Sequence, residues 1–582
     1  MKRAAFLLFL FAGAAFGATS NSLFVRDAVG VRSYPPPPRL AERAKMTAAT
    51  ELAPAALVEA ERIEGMRARN AAGVDPAEIG FTRPLPDPIA VRLGQATAAK
   101  QTPARSQRGM IAATERGTVV WSMMLHVAGA ERLRLHLEKV TLPQDAVLWV
   151  YGPGDDVQGF GRELVDANGN LWAPSTVGDT VWLEIEVPAG AIAAFDIREV
   201  AELFFAIPGR VKADDVPSCL IDSTCTSTST FSEISNVRRA VAHIEMPKGG
   251  GLVGICTGGL LNNTAQDSTP YFLTANHCLS DQNTATTAEF YFDFQTATCN
   301  STQSTFKKTV GSQLLATSAN SDFTFLKLNS IPSGRVLLGW TTAAVTGGTK
   351  LFRVSHPAPA EDIYPQSFSS TIATDSVAVC NFNGSPLSRP RFIYSTRFEG
   401  GVYGGSSGSP VTLANGQVVG QLLGGCPSGG ANAADGCDVR VSTVDGAFAT
   451  TYQSISQYLS PGNPTQPAAC VASATQVCLL NNRFGVKVAF NDGAAKTATA
   501  IKYTSDSGLF WFFDQANIEV LVKMIDACSF NQRFWVYSGG TTDLDVTITV
   551  TDSKTGQVKT YNNPRGTAFK TITDGGAFAT CP

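Results

Sequence analysis

Ser407 sits in the run GGVYGGSSGSP (400–410), with Gly405 ahead of it and Gly408 directly after. A flexible spacer would have polar, low-complexity flanks. This run leads instead into VTL, the turn ANG and then QVVGQLLGG, which reads as a strand, a tight turn and a second strand. Glycines allow unusual φ values and close backbone approach, as a serine needs when its hydroxyl projects beside bare N–H donors. The chemistry that suits such a serine is acyl transfer, with Ser407 as the nucleophile.

A serine hydroxyl is a weak nucleophile and needs a base that a third group orients. The chain has five histidines. His126 and His136 lie in a region without cysteine, and His243 and His356 read as ordinary core or surface residues. His277 ends the apolar run YFLTANHC (271–278) beside Cys278, and Cys256, 22 residues earlier, can pin its loop through a disulfide worth about 3 kcal/mol. The orienting carboxylate is Asp322, at the mouth of the alternating run SDFTFLKL. An aspartate there can also simply cap a turn. The combination of three motifs, in the order His, Asp, Ser, carries the reading.

These residues need elements to hold them. At 582 residues the chain should fold as several domains. Its net charge of -3 points to neither nucleic acid nor an anionic membrane surface. Residues 1–18 read as a signal peptide, with Lys2 and Arg3 before a short apolar run, so the mature protein is expected to be secreted and to span no membrane. All 12 cysteines fall from Cys219 onward, which fits an oxidising compartment and a first third built without disulfides.

The expected organisation is an extended, partly helical arm over 19–104 and a small β-sandwich over 105–212. A cysteine-bearing all-β domain follows over 213–460 and closes on one helix, and a Pro-rich linker at 461–467 leads to a β-rich unit at 468–582. In the sandwich, LRLHLEKV and VWLEIEV alternate apolar and polar residues, as half-buried strands do. In the last unit FWFF (510–513) reads as core, and no catalytic constellation is present.

The three motifs TANHC, SDFTFLKL and GSSGSP, with CTGGLLNNT (256–264) and VGQLLGGC (419–426), resemble those of trypsin-fold serine endopeptidases, in detail those of the secreted bacterial lysyl-endopeptidase group. The resemblance covers about 217–460. It implies a chymotrypsin-like double β-barrel with catalytic His277, Asp322 and Ser407, and an oxyanion hole from the N–H groups of Gly405 and Ser407. It also suggests disulfides Cys256 to Cys278, Cys225 to Cys299 and Cys219 to Cys426, with Cys380 and Cys437 left as a further pair.

Ser406 stands where vertebrate-type trypsins carry an aspartate for the freed N-terminal amine, so maturation must be controlled otherwise. The expectation is that 19–212 is a propeptide that aids folding or blocks the cleft, cut at Arg210 or Lys212. For specificity, the floor position of trypsins is Gly401 here, and the segment AADGCDVRVST (433–443) offers Asp435 or Asp438 to a basic P1 residue. Asp438 and Arg440 can equally neutralise each other. Leu423 replaces the histidine that the group places beside its pocket, and Gly424 and Gly425 leave room for a substrate strand to pair with the backbone.

The whole reads as an all-β serine endopeptidase acting on proteins or peptides, with a chymotrypsin-like double β-barrel flanked by a β-sandwich propeptide domain and a C-terminal β-sandwich. It implies no cofactor and no metal. The rival from another class is an adhesin or binding protein that keeps a protease fold without activity; intact Ser407, His277 and Asp322 argue against it. An α/β-hydrolase esterase would place its Asp and His after the serine, the reverse of the order here.

Overall fold

A computed structural model of the chain describes residues 19–26, 30, 34–73, 76–94, 103–154, 157–204, 217–301, 304–358, 368–374, 380–382, 385–389, 391–427, 431–432, 435–460, 470, 472–531, 533–553 and 557–581. The protein is all-β with a few short helices and forms two compact units, Met1–Thr451 and Tyr452–Pro582. The signal segment 1–18 and the cut-site candidates Arg210 and Lys212 lie outside the described residues. No helix among the described residues is long and apolar enough to cross a membrane.

The first unit begins with a two-layer sandwich. One sheet contains Thr118–Val127, Thr180–Pro188 and Val147–Tyr151; the other contains Arg132–Thr141, Ala193–Leu203 and Ala77–Leu93. Their inner faces bury Trp121, Met123, Leu125, Leu135, Leu183, Ile185 and Phe195 in one core. The alternation legible in 133–140 and 181–187 is that inward face.

Two features differ from the sequence expectation. The 17-residue strand Ala77–Leu93 falls in what reads as an arm, because Pro84, Pro86 and Pro88 look like breakers. They are tolerated because one neighbour, Leu252–Leu261, pairs only with Ala77–Phe81, leaving that edge beyond Phe81 without a ladder for proline to break. The pairing with the other neighbour is irregular at the same place, shifting register between Ile197 and Glu199. The second difference is that Arg132 and Arg134, on the polar face of their strand, are buried.

The strand Leu252–Leu261 ties one layer of the sandwich to the first barrel, so that the two belong to one 12-stranded sheet. Val241–Lys248 lies between Leu252–Leu261 and Glu289–Thr296, which continues to Ser304–Val310. From the other side, Tyr271–Thr274 pairs with Leu252–Leu261 and with Phe323–Leu328, and the latter pairs with Ser312–Ser318. This is the first barrel. In the second, Lys350–Ser355, Phe368–Thr374, Phe392–Glu399, Val441–Ala447, Val418–Pro427 and Pro410–Thr412 pair in turn, and the last returns to the first, closing a ring of antiparallel strands. The two form the chymotrypsin-like pair of barrels.

The predicted helix spans Phe448–Leu459, with Phe448, Tyr452, Ile455 and Leu459 buried as their spacing requires. The second unit packs two five-stranded sheets around Phe484, Val486, Phe510, Val522, Val536 and Ile548. Of the FWFF run, Phe510 is core while Phe513 is exposed.

Candidate active site

His277 lies just past the strand Tyr271–Thr274, which is held on both edges, and the Cys256–Cys278 disulfide ties its loop to the neighbouring strand. Asp322 precedes the strand Phe323–Leu328 in a left-handed conformation (φ 51°), which aspartate accepts more readily than most residues. Its Oδ2 lies 2.8 Å from His277 Nδ1, and its Oδ1 accepts the His277 backbone N–H at 3.0 Å. A carboxylate only accepts, so Nδ1 must carry the proton and Nε2 is left as the basic nitrogen. The Asp322 carbonyl in turn accepts from Asn276 N and Gln421 Nε2.

Ser407 is buried in a tight turn between Gly405 (φ 91°) and Gly408 (φ 79°), both in the region that favours glycine. A Cβ at Gly408 would lie 2.2 Å from Thr274 Oγ1 and 2.7 Å from Ala275 N. The Ser407 turn is thereby pressed against the loop that carries His277. Thr257, which follows Cys256, clamps the turn from the first barrel: its N–H donates to Ser407 O and its hydroxyl to Gly405 O, each at 2.8 Å. The amides of Ser406 and Gly408 are spent on Tyr403 O and Leu422 O.

Sequence reasoning passed over the group that holds the far side of this turn. Arg353, wholly buried on Lys350–Ser355, donates from Nη1 to both the carbonyl and the hydroxyl of Ser409 at 3.0 Å. Its Nη2 donates to Asp445 Oδ1 at 2.6 Å. Burial raises the Asp445 carboxyl and Arg353 opposes that rise. The signal available was Arg353 inside KLFRVS, past the exposed Lys350 that begins the strand, and Asp445 as the one charge in VSTVDGA. Ser406 is buried, and its hydroxyl has no hydrogen-bond partner among the described residues.

The disulfides depart from the implied set in one exchange. Cys256 joins Cys278 and Cys225 joins Cys299, but Cys219 joins Cys437, and Cys380 joins Cys426. The reason is local packing. Cys426, late in Val418–Pro427, faces Phe392, Tyr394, Leu423 and Val444 with Cys380 against the same cluster, whereas Cys219 lies beside Gly401 and Gly436. A Cβ at Gly401 would meet Cys219 Sγ at 2.7 Å and Gly436 O at 2.8 Å, so the Cys219–Cys437 disulfide packs directly against that glycine.

Asp438 is engaged by Arg440, whose Nε lies 3.0 Å and 3.1 Å from its two oxygens, and this hydrogen bonding lowers its carboxyl to about 2. Asp435 is exposed, and its Oδ1 accepts the Cys437 N–H. The half-buried Arg397 guanidinium reaches Gly436 O nearby. Gly424 and Gly425 pair with Val444 and Thr443, and nothing lies within 4 Å of a Cβ built at Gly424. The one cluster of metal-ligand type among the described residues, Cys256, His277 and Cys278, spends both sulfurs on a disulfide.

The family model of the lysyl endopeptidase N-terminal domain matches residues 53–198, and that of the lysyl endopeptidase C-terminal domain matches 213–439. The lysyl endopeptidase of Pseudomonas aeruginosa is 28% identical over 356 residues, covering 58% of this chain and 74% of its own. A solved structure described as "Structure of GrC" is 16% identical with a TM-score of 0.29, covering 41% of this chain and 97% of its own. The chain is a serine endopeptidase. Within that class, the N- and C-terminal domain models matching in order on one chain make it a lysyl-endopeptidase-like protease.

Proposed function

We propose that this chain is the secreted precursor of a protease that cuts peptide bonds by acyl transfer through Ser407. His277 Nε2 takes the hydroxyl proton as Ser407 Oγ attacks the carbonyl, and returns it to the leaving amine. Water then repeats the sequence on the acyl-enzyme. Asp322 keeps the imidazole in the reactive tautomer and supports the imidazolium that forms. The N–H groups of Gly405 and Ser407 receive the oxyanion, an interaction typically worth about 3 to 4 kcal/mol per donor. The observation that carries this reading is the two-point hold of Asp322 on His277, side chain to side chain and carboxylate to backbone, on a loop packed against the Ser407 turn.

A basic P1 residue fits best, recognised by Asp435, because the Asp438 carboxylate is occupied by Arg440. Residues 19–212 then act as a propeptide, and a basic preference allows the enzyme to cut its own linker at Arg210 or Lys212. Mapping by mass spectrometry of the bonds cut in a denatured protein mixture tests activity and P1 choice together. Cleavage after Lys or Arg, abolished by a serine-directed phosphonate, is expected; cleavage untouched by the phosphonate would remove Ser407 from the mechanism.

A further inference from the structure

The buried arginines of the sandwich open a question that catalysis does not answer. Glu245 and Glu289 stand directly opposite each other on adjacent antiparallel strands of the first barrel, both fully buried. Like charges in that position repel, and burial removes the water that would screen them. From the barrel side, Lys308 Nζ lies 3.2 Å from Glu289, His243 Nε2 lies 3.3 Å from Glu245, and the Tyr291 hydroxyl reaches both carboxylates at 3.2 Å. The balance comes from the sandwich. Arg132 forks onto Glu245 at 2.9 Å and 2.8 Å and also donates to Ser175 Oγ and Tyr291 Oη. Arg134 lies 4.0 Å from Glu289 and donates to the Thr287 carbonyl. Ser175 adds its N–H to Glu289 at 2.9 Å.

We infer that Glu245 and Glu289 form a guanidinium socket in the protease barrel, and that the propeptide is seated in it by Arg132 and Arg134 during folding and after its covalent link is cut. This inference rests on the reading of 19–212 as a propeptide. Backbone pairing of Ala77–Phe81 with Leu252–Ile255, and apolar contact of Ile79 and Leu203 with Val253 and Ile255, bring the surfaces together. Those contacts fit any strand of similar shape. The socket selects a planar fork: the two parallel N–H···O bonds to Glu245, with the Tyr291 hydroxyl beside them, suit a guanidinium, and an ammonium satisfies only part of the set. Without the propeptide, only Lys308 and the His243 imidazole remain beside the two carboxylates from the barrel side. The barrel is therefore electrically incomplete until the arginines arrive, which gives a physical reason for a propeptide to be needed in folding.

The test uses the full chain with Ser407→Ala, so that no self-cleavage intervenes. The chain between 205 and 216 is opened by an added protease, and release of the propeptide from the barrel is followed by gel filtration and stopped dilution. The unaltered socket should retain the propeptide. Arg132→Lys should speed its release about tenfold, and Arg132→Met with Arg134→Met about a hundredfold. If the altered chains fold poorly, Arg132→Ala is refolded with ethylguanidinium or ethylammonium; recovery by the first alone supports the socket. Equal recovery by both, equal retention by the lysine and methionine variants, or immediate release from the unaltered socket overturns it. Whether 19–212 is removed at all is read separately, from the N-terminus of the mature wild-type protein.

Discussion

Arg353 and Asp445 form an ion pair with both side chains fully buried, and the same guanidinium holds the backbone and hydroxyl of Ser409, two residues past Ser407. A trypsin of the vertebrate type sets its nucleophile turn with an amine freed by cleavage. Ser406 removes the acceptor for that amine here, and a cation supplied from the barrel wall holds the turn instead. The turn is thus supported in the uncut chain, and in the proposed function latency would come from coverage by residues 19–212.

Arg353→Met should therefore act twice. Leaving Asp445 buried without its partner should cost about 3 to 5 kcal/mol in the denaturant midpoint. A turn no longer tethered at Ser409 should lower kcat far more than it raises KM. Replacing both, Arg353→Met with Asp445→Leu, should recover most of the stability and little of the kcat, separating positioning of Ser407 from mere folding. Equal recovery of both would make the pair purely structural.

The acid partner gives a sharper number. Asp322→Asn keeps the shape but lets the amide donate to Nδ1, favouring the tautomer with the proton on the wrong nitrogen; kcat should fall about 10⁴-fold with KM little changed. Steady-state kinetics on a peptide ester and the rate of phosphonate labelling of Ser407 should fall together.

Thr257 is a second test of how the turn is held. Thr257→Val removes the hydroxyl that donates to Gly405 O while leaving the N–H bond to Ser407 O. The stability loss should be about 1 to 3 kcal/mol, since a buried carbonyl loses a partner. Because Gly405 supplies an oxyanion donor in the proposed mechanism, kcat should fall as well, measured with the same ester.

Specificity separates two neighbouring carboxylates. Asp438→Asn should leave P1 preference unchanged, because Arg440 already occupies that group. Asp435→Asn should lower kcat/KM for Lys or Arg substrates by at least tenfold relative to neutral P1, about 1.4 kcal/mol. An unchanged ratio in the second variant would remove Asp435 from the pocket.

Much of this was legible in the residues, and what was not has identifiable causes. The motifs around His277, Asp322 and Ser407 were readable because tight turns and a disulfide-pinned loop demand particular residue types at short range. Alternation in LRLHLEKV reports which face of the strand is polar; it does not report what covers that face, so the burial of Arg134 and of the neighbouring Arg132 was not legible. Ala77–Leu93 was hidden by three prolines whose lack of N–H matters only where a neighbouring strand needs one. The exchange between Cys426 and Cys437 shows the same limit, since partner choice follows which loops meet in space. Arg353 and Asp445, 92 residues apart, were visible only as charges inside their strands.

The socket also fixes how stability should depend on pH. Burial alone would raise the Glu245 carboxyl, but Arg132 and His243 outweigh it and carry it well below the usual range; Lys308 and Arg134 likewise outweigh burial at Glu289 and lower its carboxyl. A carboxyl depressed on folding binds protons more readily in the unfolded chain. Its contribution is therefore complete above the unfolded value of about 4.3 and is lost as pH falls towards the folded one. Asp445 has the opposite sign: its raised carboxyl contributes fully below about 3.9 and less as pH rises through its folded value. Urea midpoints of the Ser407→Ala precursor should accordingly fall steeply as pH drops below about 4.3. Glu245→Gln should lower the plateau at neutral pH and flatten that acid limb, whereas Asp445→Asn should leave the acid limb in place. An acid limb unchanged by Glu245→Gln would mean that the socket does not govern the acid stability of the precursor.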